Sequence, residues 1–267
     1  KSDVLEKLKQ HLQTAIMLEC STLPPYLCAY WSIHGSSEHA AHVKKFILSI
    51  VQEEMLHMAM ACNILNALGG SPVLNNVSLL PYYPCVLPGH SATANPFIVE
   101  LNKCCPAAID TFLKIEMPAT FYHAATHFDG WCTIAEFYDE VKALLNDLQL
   151  SDEDFTHGRQ IAASYNPAVG KLYEVRNRTD ALTALAEIID QGEGHSSNLY
   201  DKDHQLTHYW KFAAIKDLME NEMWNFHEDV YNMAASPDEK LFTAEALQHS
   251  NDFNQLWTQL LDTMHTA

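Results

Sequence analysis

Glycine is scarce, at 9 of 267 residues. All-β chains turn often and need more, so the scarcity, with plentiful Leu, Ala, Glu and Met, favours helix. Positive charge is short as well: 16 Lys and Arg face 34 Asp and Glu, a net charge of -18. Nucleic acid and anionic membrane surfaces repel so acidic a chain, and neither is expected as a partner. No apolar run reaches the roughly 18 residues that a membrane span needs. The opening stretch, Lys1 to Gln10, is charged and amphipathic, unlike a signal peptide. The chain begins without Met, which suggests a trimmed or excised sequence. No CxxC pair occurs among seven cysteines, Cys20, Cys28, Cys62, Cys85, Cys104, Cys105 and Cys132. Several fall inside helical patterns, where Cys acts as a small apolar residue. An odd count without pairing motifs argues against a disulfide framework and for a reduced, cytoplasmic setting.

Hydrophobic periodicity predicts helices over 3–33 and 37–68, the second stopped by Gly69-Gly70. Residues 71–105 carry Pro72, Pro81, Pro84, Pro88 and Pro96 and read as a long loop, of the kind that covers a site. Further helices are expected from Pro106 to about Glu116, where Pro118 intervenes, and over 133–149, 180–191, 205–233 and 238–265. Residues 151–179 are mixed, with short strands or an excursion expected. No linker divides the chain, so 1–267 reads as one domain. Its bundle helices are expected at about 3–33, 37–68, 106–149 and 180–233.

The most informative feature is a set of errors in the apolar pattern. In the second helix, Ile47, Ile50, Glu54, His57, Ala61, Ile64 and Leu68 step by 3 and 4 residues along one seam. A carboxylate and an imidazole, one turn apart, thus occupy core slots. Burying an uncompensated carboxylate costs several kcal/mol, comparable with the stability of a domain. Glu-x-x-His is the spacing with which helical bundles hold two metal ions. The adjacent Glu53 is a rival, but it lies about 100° round the helix, off the seam. Glu19 sits between Ile16 and Leu23 in the first helix, and Pro24-Pro25 there should open the backbone locally. Glu116 follows Ile109 and Phe112 in the third. Glu193 follows Leu182, Ala186 and Ile189, and His208 leads Phe212, Ile215 and Met219.

Taken alone, a Glu on an apolar stripe is usually a helix-end residue or pairs with Lys or Arg, and a buried His usually meets a carbonyl. Recurrence outweighs this here. Four helices each put a Glu in the seam, two histidines join them, and no Lys or Arg occupies these seams. Four carboxylates and two imidazoles suit Fe or Mn better than Cu or structural Zn.

The stretches AIMLECSTLPPYLCAYWSI, IVQEEMLHMAMACNILNALGGSPVL, FLKIEMP, IIDQGEG and HYWKF, with the loop LPYYPCVLPGH, occur in this order. Together they resemble the ferritin-like domain of the iminophenyl-pyruvate dimer synthases, the violacein and rebeccamycin pathway proteins and their stand-alone relatives. The likeness runs from about Leu8 to Phe212. It implies an all-α fold: a ferritin-like four-helix bundle core with additional helices and a long proline-rich loop. It also implies metal binding by Glu19, Glu54, His57, Glu116, Glu193 and His208. One departure stands out. A second Glu-x-x-His would put a His where Ser196 follows Glu193, so His208 is preferred and His195 is the nearer competitor.

The expectation is a non-haem di-iron oxidoreductase of specialised metabolism, with O2 and a small organic molecule as partners and a homodimer left open. Glu54 and Glu193 would bridge two irons, Glu19 and Glu116 would be terminal ligands, and His57 and His208 would cap one iron each. Tyr26, Tyr82 and Tyr83 are candidate pocket walls. The resemblance suggests oxidative coupling of an aromatic imine. The rival readings are a ferroxidase or iron-handling protein and a metal-free structural homologue.

Overall fold

The computed structural model describes residues 2–88, 97–121, 131, 133–156, 158–162, 169–192 and 198–266. Eight α-helices occur among them: α1 Ser2–Ser32, α2 Glu38–Ala67, α3 Pro106–Ile115, α4 Ile134–Asp147, α5 Arg178–Gln191, α6 His208–Glu220, α7 Phe226–Asp229 and α8 Ala244–Thr266. No strand forms among the described residues, only isolated bridges such as Cys85 to Val99. The architecture is an all-α bundle, as the sequence leads one to expect. None of the described helices is long and apolar enough to cross a membrane.

The helices α1 and α2 form one long hairpin. The Ser37 hydroxyl starts α2 by accepting from the Ala40 N–H at 3.1 Å. The spans expected as the remaining bundle helices, 106–149 and 180–233, are each interrupted. The first divides into α3 and α4, the second into α5 and α6. The helices α4 and α5 pack together, as do α3 and α6; α4 lies on α1, and both α5 and α6 lie on α2. Phe137 of α4 meets His11 near the start of α1, whereas Phe112 of α3 and Phe212 of α6 meet Tyr26. One pair therefore flanks the early part of α1 and the other pair the later part.

The helix expected over 205–233 ends at Glu220. Asn221 caps it and Glu222 turns left-handed (φ 54°), so the direction is lost before the short α7. The last helix begins at Ala244 rather than 238, where the Thr243 hydroxyl accepts from the Ala246 N–H. The described part of 151–179 contains a 3-10 turn at Asp152–Asp154 and no strand. It runs across the end of α2, where the Asn63 amide bonds the Ile161 N–H and the carbonyls of Ile161 and Tyr173. At Gly170 (φ 135°) a Cβ would stand 2.7 Å from Leu56, so this close approach requires glycine.

Helix α1 continues through Pro24 and Pro25. Pro25 has no N–H to offer the carbonyl four residues back, that of Ser21. The Tyr83 hydroxyl donates to that carbonyl at 2.5 Å, so the proline-rich loop fills the bond that the proline removes. Tyr83 is thus a strut on α1. Its neighbour Tyr82 is 87% exposed and so stands clear of the core. Tyr83→Phe should lower stability by about 1–3 kcal/mol, the cost of leaving the Ser21 carbonyl unpaired; urea denaturation measures this.

Candidate metal centre

Five of the six expected ligands are described, and all five are buried: Glu19, Glu54, His57, Glu116 and His208. Their donor atoms form two groups. Glu19, Glu54 and His57 make one, and Glu54, Glu116 and His208 the other, with Glu54 common to both. Each is held where its helix is best defined or just ends. Glu19 and the Glu54–His57 pair lie mid-helix on α1 and α2. Glu116 is the C-cap of α3, and His208 opens α6. The imidazoles lie nearly parallel, with ring centroids 5.7 Å apart. Glu193 and His195 lie outside the described residues.

The terminal carboxylates are held in the same way. The Tyr138 hydroxyl donates to Glu19 Oε1, and the Tyr26 hydroxyl donates to Glu116 Oε1. The Tyr26 ring is packed edge-on against Phe112, 4.7 Å away, and against Phe212 at 5.1 Å. Tyr26, expected as a pocket wall, instead braces a carboxylate. The Thr22 hydroxyl reaches Glu54 Oε2 at 2.9 Å.

Both histidines present Nδ1 to the centre. His57 Nδ1 is 3.6 Å from Glu19; His208 Nδ1 is 3.0 Å from Glu54 and 3.4 Å from Glu116. The far nitrogens are anchored. His57 Nε2 lies 3.0 Å from Gln191 Oε1, and the Gln191 amide nitrogen donates to the Val169 carbonyl and to Glu187. With its N–H groups so used, Gln191 turns its oxygen to His57, and Nε2 must be the donor. His208 Nε2 lies 2.8 Å from Glu53 Oε2, and Lys211 Nζ lies 2.8 and 2.6 Å from the two Glu53 oxygens. An ionised Glu53 only accepts, so His208 Nε2 is also the donor.

Two expectations are corrected here. Glu53 does not lie off the core: it is 2% exposed, because α2 contacts α6 as well as α1 and α5 and so buries more than one face. Glu53 belongs to neither donor group, however, and Glu54 belongs to both. A buried salt bridge, Lys211 with Glu53, also exists where the scarcity of Lys and Arg suggested none. In α5 Ala181, Ala184, Leu185, Ile188, Ile189 and Gln191 are buried; of the expected stripe, Ile189 is buried, Leu182 is half-buried and Ala186 is exposed, so the register is displaced in part.

Lys211, Gln191, Tyr138 and Thr22 are the residues that sequence reading missed. Lys211 lies one turn beyond His208 between aromatic residues, a legible sign. Gln191 continues the Leu185–Ile188 stripe once the register is right. Tyr138 carries no sign beyond an ordinary amphipathic pattern.

The electrostatics follow from this packing. Burial, then the charges of Glu19 and Glu116, push the Glu54 carboxyl well above its usual range. Burial also pushes Glu19 upward, but His57, with smaller help from Glu54 and Tyr138, more than offsets it and the carboxyl ends lower. Burial opposes charge on His208, yet Glu116, Glu53 and Glu54 raise it well above an ordinary histidine. Glu53 is held low by His208 and Lys211 against the same burial.

The donor set fits a metal pair. His208 Nδ1 and Glu116 Oε2 are buried without an aligned hydrogen-bond partner. Buried polar atoms are rarely left so. Gly192, the C-cap of α5, also keeps the space open: a Cβ there would lie 3.4 Å from His208 Nδ1 and 3.5 Å from His57 Cε1.

Fold and site together define a helical-bundle protein with paired carboxylate–histidine groups in its core. The Ferritin-like family model matches residues 12–217, and the chain belongs to that family. No curated protein matches it in sequence. Among solved structures it is similar to the crystal structure of a ferritin like protein from Caulobacter vibrioides, at 24% identity and a TM-score of 0.70. That likeness covers 97% of this chain and 86% of the other.

Glu53→Ala should destabilise the metal-free protein by about 3–5 kcal/mol, because Lys211 is then buried unpaired. Replacing both residues by apolar ones, Glu53→Leu with Lys211→Met, should recover most of that loss. Chemical denaturation of the three proteins measures both effects.

Proposed function

We propose that this chain is a di-iron oxidoreductase acting on a small organic molecule in specialised metabolism. The carrying observation is the pair of buried donor groups sharing Glu54, with His208 Nδ1 and Glu116 Oε2 left without aligned partners. In this reading Glu54 would be shared by both ions, Glu19 and Glu116 would be terminal ligands, and His57 and His208 would serve one ion each. Glu193 is proposed as the fourth carboxylate and second bridge, since its chain neighbour Gly192 lies against both imidazoles. Oxygen-rich donors with two nitrogens favour Fe, with Mn as the nearest substitute.

When bound, a pair of iron ions supplies O2-dependent oxidising power. This chain's own residues prepare the site for it. Tyr26 and Tyr138 orient the terminal carboxylates, and Gln191 and Glu53 engage Nε2 of the two histidines, which leaves Nδ1 as the atom that would face the metals. Tyr26, Phe112 and Phe212 exclude water beside Glu116. Oxidative coupling of an aromatic imine is the reaction that the resemblance to the dimer synthases suggests.

Iron handling is the rival use of the same centre. The proline-rich loop favours the enzyme reading, because Tyr83 ties it over the α1 segment that follows Glu19. A monomer or dimer in solution agrees with that reading; a closed shell of many copies would replace it with storage.

Protein produced in iron-rich medium should contain close to two metal ions per chain, and Glu54→Ala should lose most of both. Elemental analysis decides this. No metal in a fully stable protein would sink the proposal. Burial and the neighbouring carboxylates raise Glu54, and those carboxylates raise His208, so protons compete with a metal for both groups. Metal affinity should therefore fall as pH falls, which an indicator-dye titration checks.

A further inference from the structure

The two donor groups are near copies of each other. Each has a terminal carboxylate held by a tyrosine, a histidine Nδ1 and a share of Glu54. Among the described residues they differ most in what stands behind the imidazole. Behind His57 it is the neutral amide of Gln191, 3.0 Å away. Behind His208 it is the carboxylate of Glu53, at 2.8 Å.

An anionic acceptor draws the Nε2 proton more strongly than an amide oxygen does. It makes the imidazole a better donor through Nδ1. Its negative charge also stabilises a cation nearby, and the screening of that charge is weak because Glu53, Lys211 and His208 are all buried. Lys211 acts in two directions. It keeps Glu53 ionised in an apolar interior, and it takes back part of the carboxylate's pull. The contact that touches His208, however, is the carboxylate, and Lys211 bonds only Glu53 among the described residues.

We infer that the two metal positions are unequal. The position bounded by Glu54, Glu116 and His208 takes a divalent cation first and more tightly than the one bounded by Glu19, Glu54 and His57, because Glu53 backs its histidine. Glu53 is thus a positioning residue, as is Gln191 for the other half. The inference rests on the metal-centre reading proposed above. It means that the protein passes through a state with one ion before the second arrives.

The test is a titration of the metal-free full chain with Co2+, followed by its visible absorbance, with bound metal counted by equilibrium dialysis. Two steps are expected, separated by roughly ten-fold or more in affinity. Glu53→Gln should weaken the tighter step by roughly 10–100-fold and leave the weaker one in place. Gln191→Leu should weaken only the second step. Two ions bound with equal affinity by the wild type would overturn the inference while leaving the metal centre standing. So would a Gln191→Leu protein that loses the tighter step. Should Glu53→Gln fail to fold, the wild-type and Gln191→Leu titrations still decide. No Co2+ bound at all would overturn the metal-centre reading and this inference with it.

Discussion

Everything in this molecule is arranged around one cost: three carboxylates, Glu19, Glu54 and Glu116, lie together inside an apolar bundle. Burial alone disfavours each charge, and their mutual repulsion adds to it. The chain spreads the load. Tyrosines hold the two outer carboxylates, a threonine touches the middle one, and two histidines stand between them. Even so, a nitrogen and an oxygen stay without aligned partners at the centre. Two cations there would satisfy both atoms and offset the repulsion, in keeping with the metal reading proposed above.

The interruptions in the bundle follow from the same need. A continuous third helix would carry Glu116 onward in helical backbone; as the C-cap of α3 it sits at the helix end beside the first residue of α6. The fourth position breaks between Gln191 and His208, which brings an amide and an imidazole to the site from two helix ends. Gly192 in that break leaves room between the two imidazoles that a side chain would occupy. The loop from 71 to 88 belongs to this arrangement too. Tandem prolines let α1 run past Glu19 with an unpaired carbonyl, and Tyr83 closes it.

Much of this could be read from the chain. The seams through Ile16, Glu19 and Leu23, through Ile50, Glu54 and His57, and through His208, Phe212 and Ile215 are buried as their spacing required. Glu54 belongs to both donor groups, whereas Glu53 belongs to neither. Periodicity failed where a helix buries more than one face. It assigned Glu53 to the flank because a single seam was assumed, although α2 has three neighbours. It failed again in α5, where small residues at Ala181, Ala184 and Ala186 blur the register.

The sequence by itself determined the all-α class and the members of the polar set, because burying a carboxylate in an apolar stripe is costly enough to be a signal at any position along the chain. Only the tertiary structure decided what each member faces. Lys211 and Glu53 are 158 positions apart, and Gln191 and His57 are 134 apart. No local spacing encodes such pairs. They exist because two broken helices place their ends beside one unbroken hairpin, and that meeting is a property of packing rather than of any single segment.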